Sequence, residues 1–281
     1  MPEGKAVWRG LDQGSMSGLA LSADGTVLTS VSDKGGWARA QLERDREGRL
    51  RGVRTLASGR LQDAGGAALS GRNIDAEGLA LAPDGTFFIS FEAHHRVAAY
   101  ADIAGPSRPL PVPREFTALQ NNSGLEALFL GPAGRPHAIP ERSGRLVRPF
   151  PLYRLDEGTR WRLAGEVPRR PPHLVVGADF GPDGRLYVLE RDFAGLRGFS
   201  TRIRRFRLSA RGLDREEILL ETPYGRHGNL EGIDVWRGAD GRIRATAIAD
   251  DNESIFQRTE IVEYVLEGAT VAVRPRPRPV F

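Results

Sequence analysis

The sequence predicts an all-β protein of the β-propeller class, with five readable repeats and therefore five or six blades. A strand–turn–strand unit recurs along the chain and starts at residues 17, 77, 126, 176 and 231. The units lie 49 to 60 residues apart, which is close to the length of one four-stranded propeller blade. Helical periodicity never persists beyond about two turns, which disfavours an α/β scaffold.

The clearest unit spans residues 73–92. Glu77 opens a first apolar run, Pro83-Asp84-Gly85 forms a turn, and a second run over residues 86–91 ends at Glu92. Asp-Gly between two apolar runs predicts a hairpin, because the turn requires a positive φ that glycine adopts without steric cost. The unit is therefore a hairpin with a carboxylate at each end.

The remaining segments complete the blades. Residues 5–11 precede the first repeat, and we predict that they add the missing strand to the last blade. A proline-rich run over 106–113 predicts an edge strand or a loop, since proline cannot donate to a strand ladder. In the fourth repeat, residues 201–209 alternate with an arginine face predicted to point outward. Residues 169–172 predict a linker between blades, and residues 271–281 an extended tail.

Composition excludes several classes. Residues 1–281 are predicted to form one propeller domain, large enough to bury a core without disulfides, and the chain has no cysteine. The net charge is +4 and arginines are scattered over every repeat, so no clustered basic face predicts nucleic-acid binding. No apolar run is long enough for a membrane span. Residues 1–5 lack a signal-peptide core, so a periplasmic or secreted location requires a removed leader, and otherwise the protein is cytoplasmic. We expect a monomer.

Repeated positions converge around the channel of a propeller, and here many of them are acidic. The repeat starts carry Ser17, Glu77, Glu126, Val176 with Asp179 nearby, and Glu231, and the ends of the second strands carry Asp33, Glu92, Glu141, Glu190 and Asp250. Crowded carboxylates shift their pKa, pair with arginine or bind a hard cation, and Ca²⁺ suits oxygen ligands. The candidate metal ligands are Glu77, Glu92, Glu126, Glu141, Asp179, Glu190, Glu231 and Asp250. The alternative is that each acid caps its own blade or pairs with an arginine.

Motifs in order along nearly the whole chain resemble the bacterial family described as esterase-like activity of phytase. They include Asp75-Ala-Glu77-Gly, Asn122-Ser-Gly-Leu-Glu126-Ala, Asn229-Leu-Glu231-Gly-Ile and Asp250-Asp-Asn. The resemblance implies a propeller fold, frequent export to the periplasm, and a calcium-aided hydrolase acting on phosphoesters or esters.

Three functions stay open at this point. In the leading hypothesis, a calcium-dependent phosphoric ester hydrolase, Glu77, Glu126 and Glu231 are catalytic and rim arginines bind a small anionic substrate; the candidate arginines are Arg96, Arg142, Arg191 and Arg258. A lactonase-type propeller instead needs a compact set such as Glu77, Asn122, Asp179 and Asn229 beside an apolar wall. A non-catalytic propeller that binds a ligand or a protein needs neither.

Overall fold

The structure is a computed structural model that describes residues 4–11, 14–117, 124–141, 148–251 and 258–266. Its first element is the strand β1, Gly4–Val7. Within the described residues, twenty strands form five four-stranded antiparallel sheets around a central channel. The five-bladed propeller confirms the predicted fold class.

The first four blades are each built from consecutive strands. The strands of the first two blades are β2 (Met16–Leu21), β3 (Val27–Ser32), β4 (Gly36–Arg44) and β5 (Leu50–Arg60), then β6 (Ala76–Leu81), β7 (Phe87–Phe91), β8 (Arg96–Tyr100) and β9 (Arg108–Pro109). Those of the next two are β10 (Ala127–Leu130), β11 (Pro136–Ile139), β12 (Phe150–Asp156) and β13 (Arg160–Val167), then β14 (Leu174–Phe180), β15 (Leu186–Phe193), β16 (Phe199–Ser209) and β17 (Gly212–Glu221).

The fifth blade joins the two ends of the described chain. Its strands are β18 (Asn229–Arg237), β19 (Ile243–Asp250) and β20 (Glu260–Val265), and β1 adds the fourth. Gly4 to Val7 pair antiparallel with Glu263 to Glu260, and the Trp8 N–H donates to the Thr259 carbonyl at 2.9 Å. The predicted closure by the N-terminal segment is therefore confirmed.

Helix is scarce in the described chain. The short helix α1, Arg114–Thr117, follows the two-residue edge strand β9, as the proline-rich run predicted. Three 3₁₀ turns occur at Gly71–Asn73, Pro132–Gly134 and Gly195–Arg197. Among the described residues, no helix has the length and apolar character needed to cross a membrane. The tail at 271–281 lies outside the described residues.

Aspartate and glycine set the hairpin turns. In the second blade, the Asp84 carboxylate accepts the Thr86 N–H at 2.9 Å, and Gly85 has φ +89°. Asp24 serves the equivalent turn of the first blade by accepting the Thr26 N–H at 3.1 Å. The turn chemistry that predicted the repeats is thus present in the structure.

Each blade packs against the next through an apolar cluster. Five such clusters of buried residues occur in the described chain, and each combines residues from two neighbouring blades. In one of them, Val31 and Trp37 of the first blade join Ile89 and Phe91 of the second. Burial at these interfaces is the main favourable contribution to folding.

Glycines let the inner strands approach closely around the channel. A Cβ added to Gly78 would lie 2.9 Å from the backbone carbonyl oxygen of Glu126 in the next blade. A Cβ added to Gly232 would lie 2.5 Å from the backbone carbonyl oxygen of Ser17. Gly18 and Gly177 face the following blade in the same way. Each glycine directly follows a repeat start, so the acids at those starts are held at the channel wall by closely packed backbone.

The outward arginine face predicted on β16 is wrong for two of its members. Arg202 and Arg204 are 5% and 0% exposed. Glu190 accepts from both guanidinium groups, and Glu216 also accepts from Arg204 at 2.7 Å. The two carboxylates compensate the buried charges of Arg202 and Arg204. They lie on neighbouring strands, so the alternation of residues within β16 alone did not reveal this pairing.

Candidate functional site

Three glutamates from three inner strands meet at the channel. Glu77, Glu126 and Glu231 line it together with Gly18 and Gly177 of the two blades that lack an acid at this position. The space between them is only about 10 Å³, room for one water molecule or ion. The repeat therefore brings the three predicted catalytic residues to one place, and their catalytic role stays a prediction.

A group of three carboxylates lies beside Glu77. One oxygen each of Asp75, Glu77 and Glu92 lies within 4.8 Å of the others. Asp75 directly precedes β6, and Glu77 lies on it. Glu92 directly follows β7, which pairs antiparallel with β6 and so brings Glu92 back to the start of that strand. The Glu92 Oε1 atom also accepts the Gly124 N–H at 2.8 Å. We call Asp75, Glu77 and Glu92 the acidic triad; its oxygen-only donors suit a hard cation.

Burial raises the pKa values of all three triad carboxyl groups, although Lys34 and His95 oppose the shift at Asp75. Desolvation, followed by repulsion from Glu126 and Glu231, raises the pKa of Glu77 well above its ordinary value. Desolvation also raises the pKa of Glu92 to about 7, although the Gly124 N–H opposes it, and it raises the pKa of Asp75. A cation bound here would relieve the repulsion and keep the carboxylates ionised.

Arg191 supplies positive charge on the opposite side of the channel. Its Nη1 atom donates to Glu231 Oε1 at 2.5 Å and to the Asn229 side-chain oxygen. The Asn229 amide nitrogen donates to the same Glu231 oxygen at 2.8 Å. Burial alone would lower the pKa of Arg191, but Glu231, Glu126 and Glu141 raise it. Arg191 is therefore a fixed cation anchored to Glu231.

Glu126 lies between these two charged groups. Burial, followed by the charges of Glu141 and Glu231, raises its pKa well above the ordinary value, and Arg191 opposes the shift only in part. A raised pKa favours the protonated form of the carboxyl group, which can then act as a proton donor. Glu126 is thus a candidate proton donor of the described site.

A cavity of about 320 Å³ opens next to Arg191. Its walls comprise Glu141, Leu174, Arg191, Asp192, Phe193, Phe199, Asn229 and Glu231. The Phe193 and Phe199 rings lie 4.7 Å apart between centroids. The volume falls in the range of small-molecule sites, so a ligand of modest size fits between Arg191 and the two aromatic rings.

Three further predicted metal ligands have other neighbours. Glu190 is fully buried between Arg202 and Arg204. The Asp179 carboxylate accepts the Val235 N–H at 2.7 Å and the Phe180 N–H at 2.8 Å, and so links the inner strands of two blades. Asp250 is buried and pairs with Asn229 across β18 and β19, at the channel end that carries Glu231.

The predicted substrate arginines are dispersed. Arg96 donates to the backbone carbonyls of Asn73 and His94 and lies 3.8 Å over the Phe91 ring. Arg258 is exposed. Arg142 lies outside the described residues, as does Asn122 of the lactonase set. Among the three candidate arginines that the structure describes, only Arg191 lines the cavity of about 320 Å³.

Sequence reasoning missed Asp75 and the two phenylalanines of the cavity. A signal for Asp75 existed, because it lies two positions before Glu77 and side chains at i and i+2 share one face of a strand. No comparable signal marks Phe193 and Phe199, which face each other at the end of the β15–β16 hairpin. Their position beside Arg191 depends on how far that hairpin extends.

A sequence model of the phytase-like family, described as esterase-like activity of phytase, matches residues 12–253. Comparison of the sequence with curated proteins found no match. Among solved structures, a PQQ-bound aldose sugar dehydrogenase from Streptomyces coelicolor is similar, with 14% identity over 92% of this chain and 97% of that one and a TM-score of 0.52.

A second similar structure is a putative glycosidase from Bacteroides thetaiotaomicron. Its identity is 10%, it covers 90% of this chain and 87% of its own, and the TM-score is 0.54. At such identities these likenesses concern the fold alone. The family match, in contrast, covers most of the chain and includes the acidic triad, Glu126 and Arg191.

Proposed function

We propose, because this chain belongs to the phytase-like family described as esterase-like activity of phytase, that it is a calcium-assisted hydrolase of small phosphoesters. The observation that carries the proposal is the acidic triad at the channel mouth, whose ligand oxygens lie within 4.8 Å of one another. Arg191 lines a cavity of about 320 Å³, and this cavity shares Glu231 with the channel space that Glu77 and Glu126 line.

The triad fits Ca²⁺ by its chemistry. All three side chains offer hard oxygen donors, and Ca²⁺ takes about six to eight such ligands in flexible geometry. The raised pKa values of Asp75, Glu77 and Glu92 reflect burial and crowding that a divalent cation compensates. When bound, the ion supplies Lewis-acid polarisation of the ester and a counter-charge for the phosphate.

The chain's own residues supply orientation and proton transfer. Arg191 is rigidly held by Glu231 and Asn229, so its remaining N–H groups can hold an anionic group in a fixed position. Glu126, whose raised pKa favours its protonated form, delivers a proton to the leaving alcohol oxygen. Buried surroundings strengthen both interactions relative to water.

A lactonase-type activity is the second candidate. The aromatic wall formed by Phe193 and Phe199 favours it, since a ring ester is less charged than a phosphoester. Against it, the Asp179 carboxylate is occupied by the backbone N–H groups of Phe180 and Val235. The phosphoesterase is therefore our first proposal.

The experiment combines Ca²⁺ calorimetry with hydrolysis of an aryl phosphate and an aryl-substituted lactone. Glu77→Gln should weaken Ca²⁺ binding at least tenfold and abolish turnover, whereas Glu126→Gln should lose turnover and keep Ca²⁺. The matched control is Glu166→Gln, at an exposed position on β13, which should retain both Ca²⁺ binding and turnover.

The proposal is wrong if the wild type binds no Ca²⁺, or if Glu77→Gln binds it equally well. Faster turnover of the lactone than of the phosphate would favour the second candidate.

A further inference from the structure

The cavity beside Arg191 has two different walls. One carries the Arg191 guanidinium, and the other is an aromatic shelf formed by Phe193 and Phe199. Arg191 and Phe193 are two positions apart on β15, so their side chains leave the same face of the strand. A cationic group and an apolar surface are thus placed side by side by one regular element.

The shelf is fixed by the sheet. Phe193 and Phe199 are directly paired residues of the β15–β16 hairpin, and their rings are tilted at 36° with centroids 4.7 Å apart. Phe193 nevertheless keeps 61% of its surface exposed. A rigid, solvent-exposed aromatic side chain beside a polar anchor is typical of a ligand-binding wall.

The charge of the cavity limits how many anionic groups a ligand can bring. Its described wall holds one arginine and three acids, Glu141, Asp192 and Glu231. The carboxylates of the acidic triad add further negative charge at the adjoining channel. Like charges in a poorly solvated site repel strongly, so each phosphate beyond the first would face carboxylates.

Arg191 has donor capacity for one such group. Nη1 is engaged by Glu231 and Asn229, and Nη2 forms an ion pair with Glu141 at 3.6 Å, a distance longer than a hydrogen bond. The side chain keeps 21% exposure. One anionic oxygen pair can therefore reach the guanidinium from the cavity.

We propose that the substrate is a monophosphate ester of an aromatic or similarly flat apolar alcohol, and that a polyphosphorylated compound is disfavoured. The phosphate lies at Arg191 and the acidic triad, and the apolar group stacks on Phe193. Water gives its hydroxyl to phosphorus, the phosphorus–oxygen bond to the alcohol breaks, and the alcohol oxygen leaves with a proton. This inference rests on the proposed function of the same site.

The test compares kcat/KM in Ca²⁺ for 1-naphthyl phosphate, glycerol 2-phosphate and inositol hexakisphosphate. We expect the naphthyl ester to be preferred over glycerol phosphate at least tenfold, and inositol hexakisphosphate to be the poorest substrate. Phe193→Ala should lower the ratio of naphthyl to glycerol ester by about 3- to 10-fold, the effect of losing one aromatic contact. Leu163→Ala removes a side chain that is also 61% exposed, on another blade, and should leave the ratio unchanged.

Binding of phenylphosphonate, measured by calorimetry with Ca²⁺ present, separates this inference from the proposed function. Weaker binding by Phe193→Ala than by Leu163→Ala supports the inference even if no ester is turned over, in which case only the hydrolase proposal fails. The inference is overturned if the wild type does not bind phenylphosphonate, if Phe193→Ala binds it normally, or if inositol hexakisphosphate is the preferred substrate.

Discussion

Glutamates at equivalent repeat positions have quite different surroundings in this protein. Glu92 and Glu141 follow the second strand of their blades and Glu190 lies within it. Glu92 nevertheless joins two other carboxylates, whereas Glu190 joins two buried arginines. The repeat places the backbone, while the partner on the adjacent strand decides the charge state and the role. Arg202 lies directly opposite Glu190 in the β15–β16 pairing.

The first prediction concerns Glu190→Gln. The substitution leaves Arg202 buried without its carboxylate and Arg204 with Glu216 alone, and breaking a buried ion pair costs about 3–5 kcal/mol of unfolding free energy. Urea denaturation measures the loss, and Glu166→Gln should stay within about 0.5 kcal/mol of the wild type. Ca²⁺ affinity should be unchanged. A variant with normal stability and weakened Ca²⁺ binding would instead assign Glu190 to the metal site.

A second prediction follows from Glu92. Its folded-state pKa of about 7 lies above the ordinary 4.5, so the native state binds more protons than the unfolded state between these values, and stability falls as pH rises through this window. In chelator, the unfolding free energy should fall between pH 4.5 and 7 by about 1–2 kcal/mol from this group, because solvent screening of a partly exposed carboxyl group reduces the full effect of the shift. Glu92→Gln should flatten the profile. An identical slope in wild type and variant would contradict it.

At the scale of elements, β1 connects the start of the described chain to its last blade. Trp8 directly follows the strand, is 3% exposed, and its indole N–H donates to the Thr55 hydroxyl at 2.9 Å. It belongs to the apolar cluster between the fifth and first blades. The strand thus contributes both a hydrogen-bonded ladder and a core side chain to ring closure.

The third prediction is that Trp8→Ala lowers the unfolding free energy by about 3–5 kcal/mol, the usual cost of emptying a large aromatic core site. Leu56→Ala is the control, because Leu56 lies on the neighbouring blade edge and is 46% exposed. Chemical denaturation of both variants measures the difference. A loss below about 1 kcal/mol for Trp8→Ala would show that β1 contributes little to closure.

Elements were more predictable than side-chain environments. The Asp-Gly turns predicted hairpins because they report local backbone geometry, and the repeat placed Glu77, Glu126 and Glu231 together because equivalent positions surround one channel. The burial of Arg204 and the contact between Arg191 and Glu231 depend on the register between strands and on the neighbouring blade. Neither is encoded within a single repeat, so sequence reading left both undetermined.

At the scale of the whole molecule, the site and the ring share their residues. The acidic triad stands at the start of the second blade, Glu126 on the third, and Glu231 on the fifth. Their crowding opposes closure of the ring, whereas the apolar clusters between blades favour it. A cation at the triad therefore adds to the stability of the complete propeller, because the triad forms only when β6 and β7 are paired.

The last prediction is that Ca²⁺ stabilises the folded protein. A ligand that binds only the native state at 100 times its dissociation constant adds about 2.7 kcal/mol, which corresponds to a rise of about 5 °C in Tm for a chain of this size. Thermal melts at neutral pH in chelator and in excess Ca²⁺ measure the shift in Tm.

Glu77→Gln should lose most of the rise in Tm, since it removes a triad carboxylate, while Glu166→Gln should retain it. In chelator, Glu77→Gln should melt no lower than the wild type, because the substitution removes a buried carboxyl group whose ionised form is repelled by its neighbours. Overlaid wild-type curves with and without Ca²⁺ would exclude a native-state calcium site and leave these carboxylates as structural residues of the channel.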